Sequence, residues 1–162
     1  MFRIDNPESL NVTDAEISDL LTSVYVGSGF TAPERAKQIF VPSAVRSRGC
    51  LLCARPEREV ALAGMVIVVP PDSLARRLAH SDEAEMQLLA VSEPYRGAGL
   101  GRALVKAAIV LASSLGYRKM VLWTQSMMEA AQQLYQSECF VRAPDRDPTM
   151  NDIHFLAYQK QW

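Results

Sequence analysis

The stretch Glu93–Ala107, EPYRGAGLGRALVKA, constrains this chain more than any other. Ahead of it, EMQLLAV (Glu85–Val91) reads as a strand that SEPY brings to an end. Behind it, apolar residues recur at Leu100, Leu104, Val105, Ala108, Leu111 and Leu115, a helical spacing that Gly116 stops. Gly97, Gly99 and Gly101 fill the joint. The first N–H groups of a helix have no partner inside it and point outward with the positive end of its dipole. Phosphate oxygens accept such groups. Glycines let the backbone approach because no Cβ intervenes, and Arg96 and Arg102 add charged donors. The joint is expected to cradle a phosphate or pyrophosphate, the alternative being a tight strand-to-helix turn. It is not a P-loop, since Arg102-Ala103 follow the last glycine. Nor does its G-x-G-x-G spacing fit the dinucleotide fingerprint.

The rest of the chain supplies a sheet. GCLLCARP and VALAGMVIVV read as strands joined by the polar turn RPERE, and KMVLWT, CFVRA and DIHFLAYQK as three more. Ile17, Leu20, Leu21 and Val24 fall at helical spacing within Thr13–Val26, and Thr13 with Glu16 fits a capping box. TAPERAKQIF opens with proline in its first turn and predicts a second short helix. MMEAAQQLYQS predicts a later one. PPDSLARRLAHSDEA reads as a polar connection and PDRDPTMN as a loop. This order makes an α/β chain with a mixed sheet and helices on its faces. No repeat or linker is visible, and 162 residues fit a single domain, 1–162.

A net charge of −1 provides no global field for nucleic acid or an anionic membrane. MFRIDNPESL has neither the basic region nor the apolar run of a secretion signal, and VALAGMVIVVPP is too short to span a bilayer. Cys50 and Cys53 form a C-x-x-C, the spacing of a redox pair or half a zinc site. No second such pair exists, and His80 and His154 are the only histidines. On a strand, residues three apart point to opposite faces. The cysteines are therefore expected as free thiols without metal, in a reducing compartment, and the protein as cytoplasmic.

LLAVSEPYRGAGLGRALV resembles the acyl-CoA-binding core of the Gcn5-related N-acetyltransferase (GNAT) superfamily. The superfamily signature Q/R-x-x-G-x-G/A is matched by Arg96, Gly97, Ala98, Gly99, Leu100 and Gly101. A second family pattern, A-x-x-L-Y-x-x-x-G-F, is met in AQQLYQSECF by Ala131, Leu134, Tyr135 and Phe140. The resemblance is sharp from about Glu85 to Phe140, the expected cofactor-binding core. There are two departures. Met128 stands where asparagine often touches the pantetheine arm, and Cys139 where glycine is common. A left-handed backbone at Cys139 would cost roughly 1–2 kcal/mol.

The resemblance implies a GNAT-like fold: a mixed, mostly antiparallel sheet of six to seven strands with helices on both faces. It also implies transfer of an acetyl group from acetyl-CoA, a co-substrate, to a primary amine. Leu89, Ala90 and Val91 are expected along the pantetheine on a strand that splays from its neighbour, with Met128 opposite. The N–H groups from Gly97 to Arg102 are expected at the pyrophosphate. Glu85 matches a glutamate base that works through water, with Glu83 or Asp82 as substitutes, and Tyr135 matches a general acid for the departing thiolate. Arg76 and Arg77 read as a solvated face or as contacts to the 3′-phosphate or a substrate carboxylate. Trp123 reads as core and His154 as a packed residue. The implied partner is a small-molecule or peptide amine acceptor, with a homodimer left open. Val26–Phe40, Pro70–Ala84 and Pro144–Asn151 are expected to shape the acceptor pocket. The rival readings are a non-catalytic acyl-CoA sensor or regulatory module and an unrelated phosphate-binding domain.

Overall fold

The run GMVIVV is buried at every position and becomes the middle of the sheet. Its continuous apolar pattern is that of a strand covered on both faces. Met65, Ile67 and Val69 turn to one side and Val66 and Val68 to the other, so this strand belongs to both halves of the core. The computed structural model describes all 162 residues. Eight strands, β1 (Phe2–Asp5), β2 (Cys50–Pro56), β3 (Gly64–Val69), β4 (Ala84–Val91), β5 (Lys119–Gln125), β6 (Val141–Arg142), β7 (Thr149–Met150) and β8 (Ile153–Gln161), form one sheet. Its order is β1-β2-β3-β4-β5-β8-β6, with β7 beside β8. Every neighbouring pair is antiparallel except β4 and β5.

Helices cover both faces. On one lie α1 (Asp14–Leu21), α2 (Pro33–Ile39) and α3 (Pro42–Arg46), which bury Ile17, Leu20, Leu21, Ala36 and Val45. The expected capping box starts α1: Glu16 N–H donates to Thr13 Oγ1 at 3.2 Å and Thr13 N–H to Glu16 Oε2 at 2.8 Å. On the other face α4 (Leu100–Ser114) buries Leu100, Leu104, Val105, Ala108 and Ala112, and α5 (Glu129–Ser137) buries Tyr135. Gly116, at φ +93°, ends α4 as expected. No helix is long and apolar enough to cross a membrane.

The structure departs from the sequence reading in four places. β1 pairs with β2, and the alternation Phe2–Asp5 that marks it was hidden by its shortness. The helix expected over Thr13–Val26 is α-helical only to Leu21 and continues as a π turn, Thr22–Val26. A short α3 follows Pro42. PDRDPTMN holds a 3-10 turn, Pro144–Arg146, and β7. With β1 and β7 the sheet reaches eight strands, one more than expected. Cys139 is left-handed, at φ +64°.

The last strands depend on Asp147. Its carboxylate accepts from Arg142 at 2.7 and 2.9 Å and from the Ala157 N–H at 2.7 Å. The Arg142 hydrogen bonds hold its pKa down at about 2, below the usual 3.8. A depressed carboxylate adds stability above its unfolded value and loses it as pH falls through the folded one. Asp147→Asn should therefore cost about 2 kcal/mol at pH 7. In urea titrations, the gap between parent and variant should close as pH falls from 4 to 2.

Candidate active site

β4 and β5 run parallel and share a ladder only at Ala84–Met120 and Glu85–Val121. Beyond Glu85 the edge of β4 facing β5 has no ladder partner. On its other side β4 is bulged: Met65 pairs with Ala90 and Ile67 with Gln87, so Leu88 and Leu89 together oppose Val66. Leu88 takes the strain at φ +52°. The splay expected for this strand is thus present, and a cleft of about 630 Å³ opens where the strands part.

Leu89, Val91, Arg96, Gly97, Gly99, Leu100, Gly101, Arg102 and Met128 line that cleft. Ala90 and Ala98 do not: Ala90 turns into the core and Ala98 into solvent. Gly97 and Gly99 sit at φ +77° and +80°, and a Cβ on either would meet no atom within 4 Å. Their backbone is open to a ligand. Gly99 is the N-cap of α4 and no side chain caps the helix, so its first N–H groups face the cleft as an anion site requires. Gly101 serves packing instead, for a Cβ there would lie 3.1 Å from Leu134 Cδ2.

The two arginines diverge. Arg96 Nε donates to the Val91 carbonyl at 3.1 Å, which ties the turn to the end of β4. Arg102 was expected to offer its side chain to an anion. It pairs with Glu138 at 2.8 Å and donates to Ser137 Oγ at 3.3 Å, linking α4 to α5.

A second cavity, of about 250 Å³, lies beside the cleft and shares Tyr25, Leu89, Met128 and Ala131 with it. Tyr135, one turn beyond Ala131 on the same face of α5, lines this second cavity. Its ring packs on Phe140 and Tyr158, with centroids 6.0 and 6.1 Å away. Its hydroxyl makes no hydrogen bond within the chain and is not sealed from the cavity. Burial, with a smaller push from Tyr25, raises its pKa well above the usual phenol value. Tyr25 escaped the sequence reading. The π turn aims it at the seam between cleft and cavity, where its hydroxyl donates to the Leu89 carbonyl at 2.9 Å. The only signal was the run SVYVGSGF, in which the apolar spacing breaks.

Glu85 is fully buried and lines neither cavity. Its oxygens accept from the N–H groups of Arg77 at 3.0 Å, Leu78 at 2.6 Å and Ala79 at 3.1 Å, and from Gln87 Nε2 at 2.6 Å. The expectation of a base is therefore corrected: this carboxylate anchors the segment after β3, and its proton-accepting sites are already occupied. Asp82 and Glu83 do not replace it, for they pair with Lys119 at 3.0 Å and Arg146 at 2.7 Å. Two further readings change, those of Trp123 and His154. Trp123 lines the second cavity, as does Arg77, for which a contact to a substrate carboxylate was one of the expectations. His154 is exposed and sits 3.3 Å from Asp147. Cys50 is exposed and Cys53 buried, on opposite faces, and burial pushes the Cys53 thiol up to about 12. No three His, Cys, Asp or Glu residues gather as a metal site.

Glu85→Gln turns one accepting oxygen into a donor facing backbone N–H groups. It should cost about 2–3 kcal/mol in urea unfolding at pH 7. A loss under about 1 kcal/mol would contradict the anchoring role.

Similarity to known proteins agrees with this geometry. "N-acetyltransferase 8B" of Homo sapiens is 30% identical over 116 residues, 66% of this chain and 48% of that protein. "N-acetyltransferase family 8 member 3" of Rattus norvegicus is 35% identical over 80 residues, 49% of this chain and 33% of that protein. The chain thus spans between a third and a half of these relatives. Among solved structures, a Bacillus subtilis acetyltransferase in complex with CoA superposes with a TM-score of 0.69 at 21% identity, covering 100% of this chain and 99% of the other. The family described as acetyltransferase (GNAT) matches residues 15–139, so with the glycine turn, the splayed strands and the late helix all in place, the chain belongs to the GNAT acetyltransferase family.

Proposed function

We propose that this protein transfers an acetyl group from acetyl-CoA to a primary amine. The observation that carries the proposal is the meeting of two cavities at Tyr25, Leu89, Met128 and Ala131, one ending at the glycine turn and the other containing Tyr135. Acetyl-CoA in the cleft would supply an activated acetyl group, and the C–N bond to the amine forms as the C–S bond breaks. The uncapped N–H groups at the start of α4 hold the pyrophosphate. Val91 and the bulged backbone at Leu88–Leu89 border the pantetheine, with Met128 on the far wall. Holding both reactants at one seam supplies much of the rate.

The amine enters from the smaller cavity and releases its proton to water. The departing sulfur takes a proton from the Tyr135 hydroxyl, and water returns one to the phenolate, so the proton lost by the amine is balanced by the one gained by CoA. A phenol whose pKa is raised keeps its proton as pH rises, so Tyr135 stays a donor across the working range. Glu85 is a positioning residue, acting through Gln87 and the backbone of residues 77–79.

Two tests follow. Gly99→Val places a branched side chain where the ligand backbone would lie, at a left-handed φ. Calorimetry should give at least tenfold weaker binding of acetyl-CoA, about 1.4 kcal/mol, with the circular dichroism spectrum retained. Unchanged affinity in a folded variant would sink the cofactor site. Tyr135→Phe should lower kcat by roughly 10²-fold at neutral pH with acetyl-CoA. An acyl donor with a more acidic thiol should restore most of that loss. Parental turnover in the Phe variant would remove the acid role, and a parent that binds acetyl-CoA but acetylates no amine would favour an acyl-CoA sensor.

A further inference from the structure

The smaller cavity is lined by three arginines, Arg35, Arg48 and Arg77, and by no aspartate, glutamate, lysine or histidine. None of the three forms a salt bridge, whereas Arg46, Arg55, Arg102, Arg142 and Arg146 each have a carboxylate within 2.9 Å. Arg48 is the telling one. It is partly buried, and its partners are neutral: Gln87 Oε1 at 2.8 Å and the Ile39 carbonyl at 3.4 Å. A guanidinium has five N–H donors, so most of the fork remains unused. Burial and the neighbouring Arg77 charge both press its pKa below the usual value. The Arg77 side chain donates only to the Arg76 carbonyl, at 3.5 Å, and the Arg35 guanidinium lies 2.7 and 3.1 Å from the side-chain amide of Asn151, oriented with its oxygen toward it.

The two carboxylates close by do not neutralise them. Glu85 reaches Arg48 only through the Gln87 amide, and its own oxygens already hold three backbone N–H groups. Asp72 lines the outer side of Arg48 and Arg77 without pairing with either. Arg35 and Arg77 are exposed and Arg48 is half-buried, so the cost of lacking a counter-ion falls chiefly on Arg48, and a bound anion relieves it. A planar guanidinium fits a carboxylate with two parallel hydrogen bonds. The remaining wall is mostly apolar, with Ile39, Phe40, Trp123, Ile153 and Phe155 among its residues, interrupted by polar side chains such as Thr31 and Gln125. At about 250 Å³ the space is small for a ligand site.

Resting on acetyl transfer as the reaction, we infer that the acceptor is a small amine that also carries a carboxylate on an apolar skeleton, as an aliphatic or aromatic amino acid does, and that Arg48 and Arg77 hold the carboxylate. A polyamine or lysine side chain would bring a further positive charge to three arginines, and the electrostatics disfavour it.

The test pairs phenylalanine, leucine and methionine with their amides, which keep the skeleton and amine but lack the negative charge. With the parent enzyme and acetyl-CoA, kcat/KM should favour at least one acid over its amide by tenfold or more. Arg48→Met keeps the stem and removes the charge, and should shrink that ratio to within about threefold, mainly through KM. Arg48→Lys should restore part of it. Arg77→Gln alters an exposed side chain and should narrow the ratio in the same direction, which covers the case of an Arg48 variant that fails to fold. Binding of the same pairs to the CoA-loaded protein, followed by calorimetry, gives a readout independent of turnover. Amides acetylated as well as or better than acids throughout would overturn the inference and leave acetyl transfer standing. So would a preference for 2-aminoethylphosphonate over β-alanine, which would make the anion a phosphate type. Acids that bind in preference to amides, with that preference lost in the arginine variants, would support the cavity assignment even if no acetyl group moved.

Discussion

β4 and β5 share a ladder at Ala84–Met120 and Glu85–Val121 and then part, and the rest of the site follows from what that parting leaves open. Backbone N–H and carbonyl groups that lose a ladder need other partners. The Leu89 carbonyl finds one in the Tyr25 hydroxyl, and the Val91 carbonyl in Arg96. The strand is held apart on purpose: a bulge at Leu88–Leu89 turns it, and the glycine turn leads it into α4 rather than onward along β5. One end of the gap then meets uncapped helical N–H groups, and the other meets the cavity with Tyr135.

Electrostatics within this frame are governed by the backbone more than by charged pairs. The Glu85 carboxylate is buried in a ring of N–H groups from Arg77 to Ala79. Those bonds satisfy its charge and fix the course of a segment with little regular structure. That segment brings the Arg77 side chain to the cavity wall, while Gln87 passes the other end of the network to Arg48. The carboxylate therefore sets where the arginines stand without cancelling their charge. Arg46, Arg55, Arg102, Arg142 and Arg146, by contrast, each have an acidic partner within hydrogen-bond distance.

The glycine turn and the cleft beside it were legible in the sequence because they depend on local chemistry. Glycines at positive φ, an uncapped helix start and a strand ahead of it all lie within about twenty residues of chain, and Gly97 and Gly99 stand as their types require. The second cavity was not legible, because it is assembled from distant segments. Tyr25, Arg48, Arg77, Trp123 and Phe155 come from five different elements or connections, and no spacing in the chain announces their meeting. Glu85 shows the limit most clearly. Its residue type and place on the strand matched a base, but only three dimensions reveal the N–H groups gathered around it. The π turn was missed for a related reason. One extra residue in a helical turn rotates Tyr25 toward the seam, and a break in apolar spacing does not say which way the side chain turns.

The short ladder between β4 and β5 also has a thermodynamic meaning for the protein in a cell. It is the shortest ladder in the middle of the sheet, flanked by β3–β4 and β5–β8 ladders that run much longer. A thioester ligand lying along the open edge of β4 would stand in for the missing strand, so occupancy and folding are linked. At a free concentration of a hundred times Kd, such a ligand adds about 2.7 kcal/mol to the folded state. On that scale the coenzyme pool would act as a folding partner as well as a reactant. Were that pool to run low, the population exposed to proteolysis would rise.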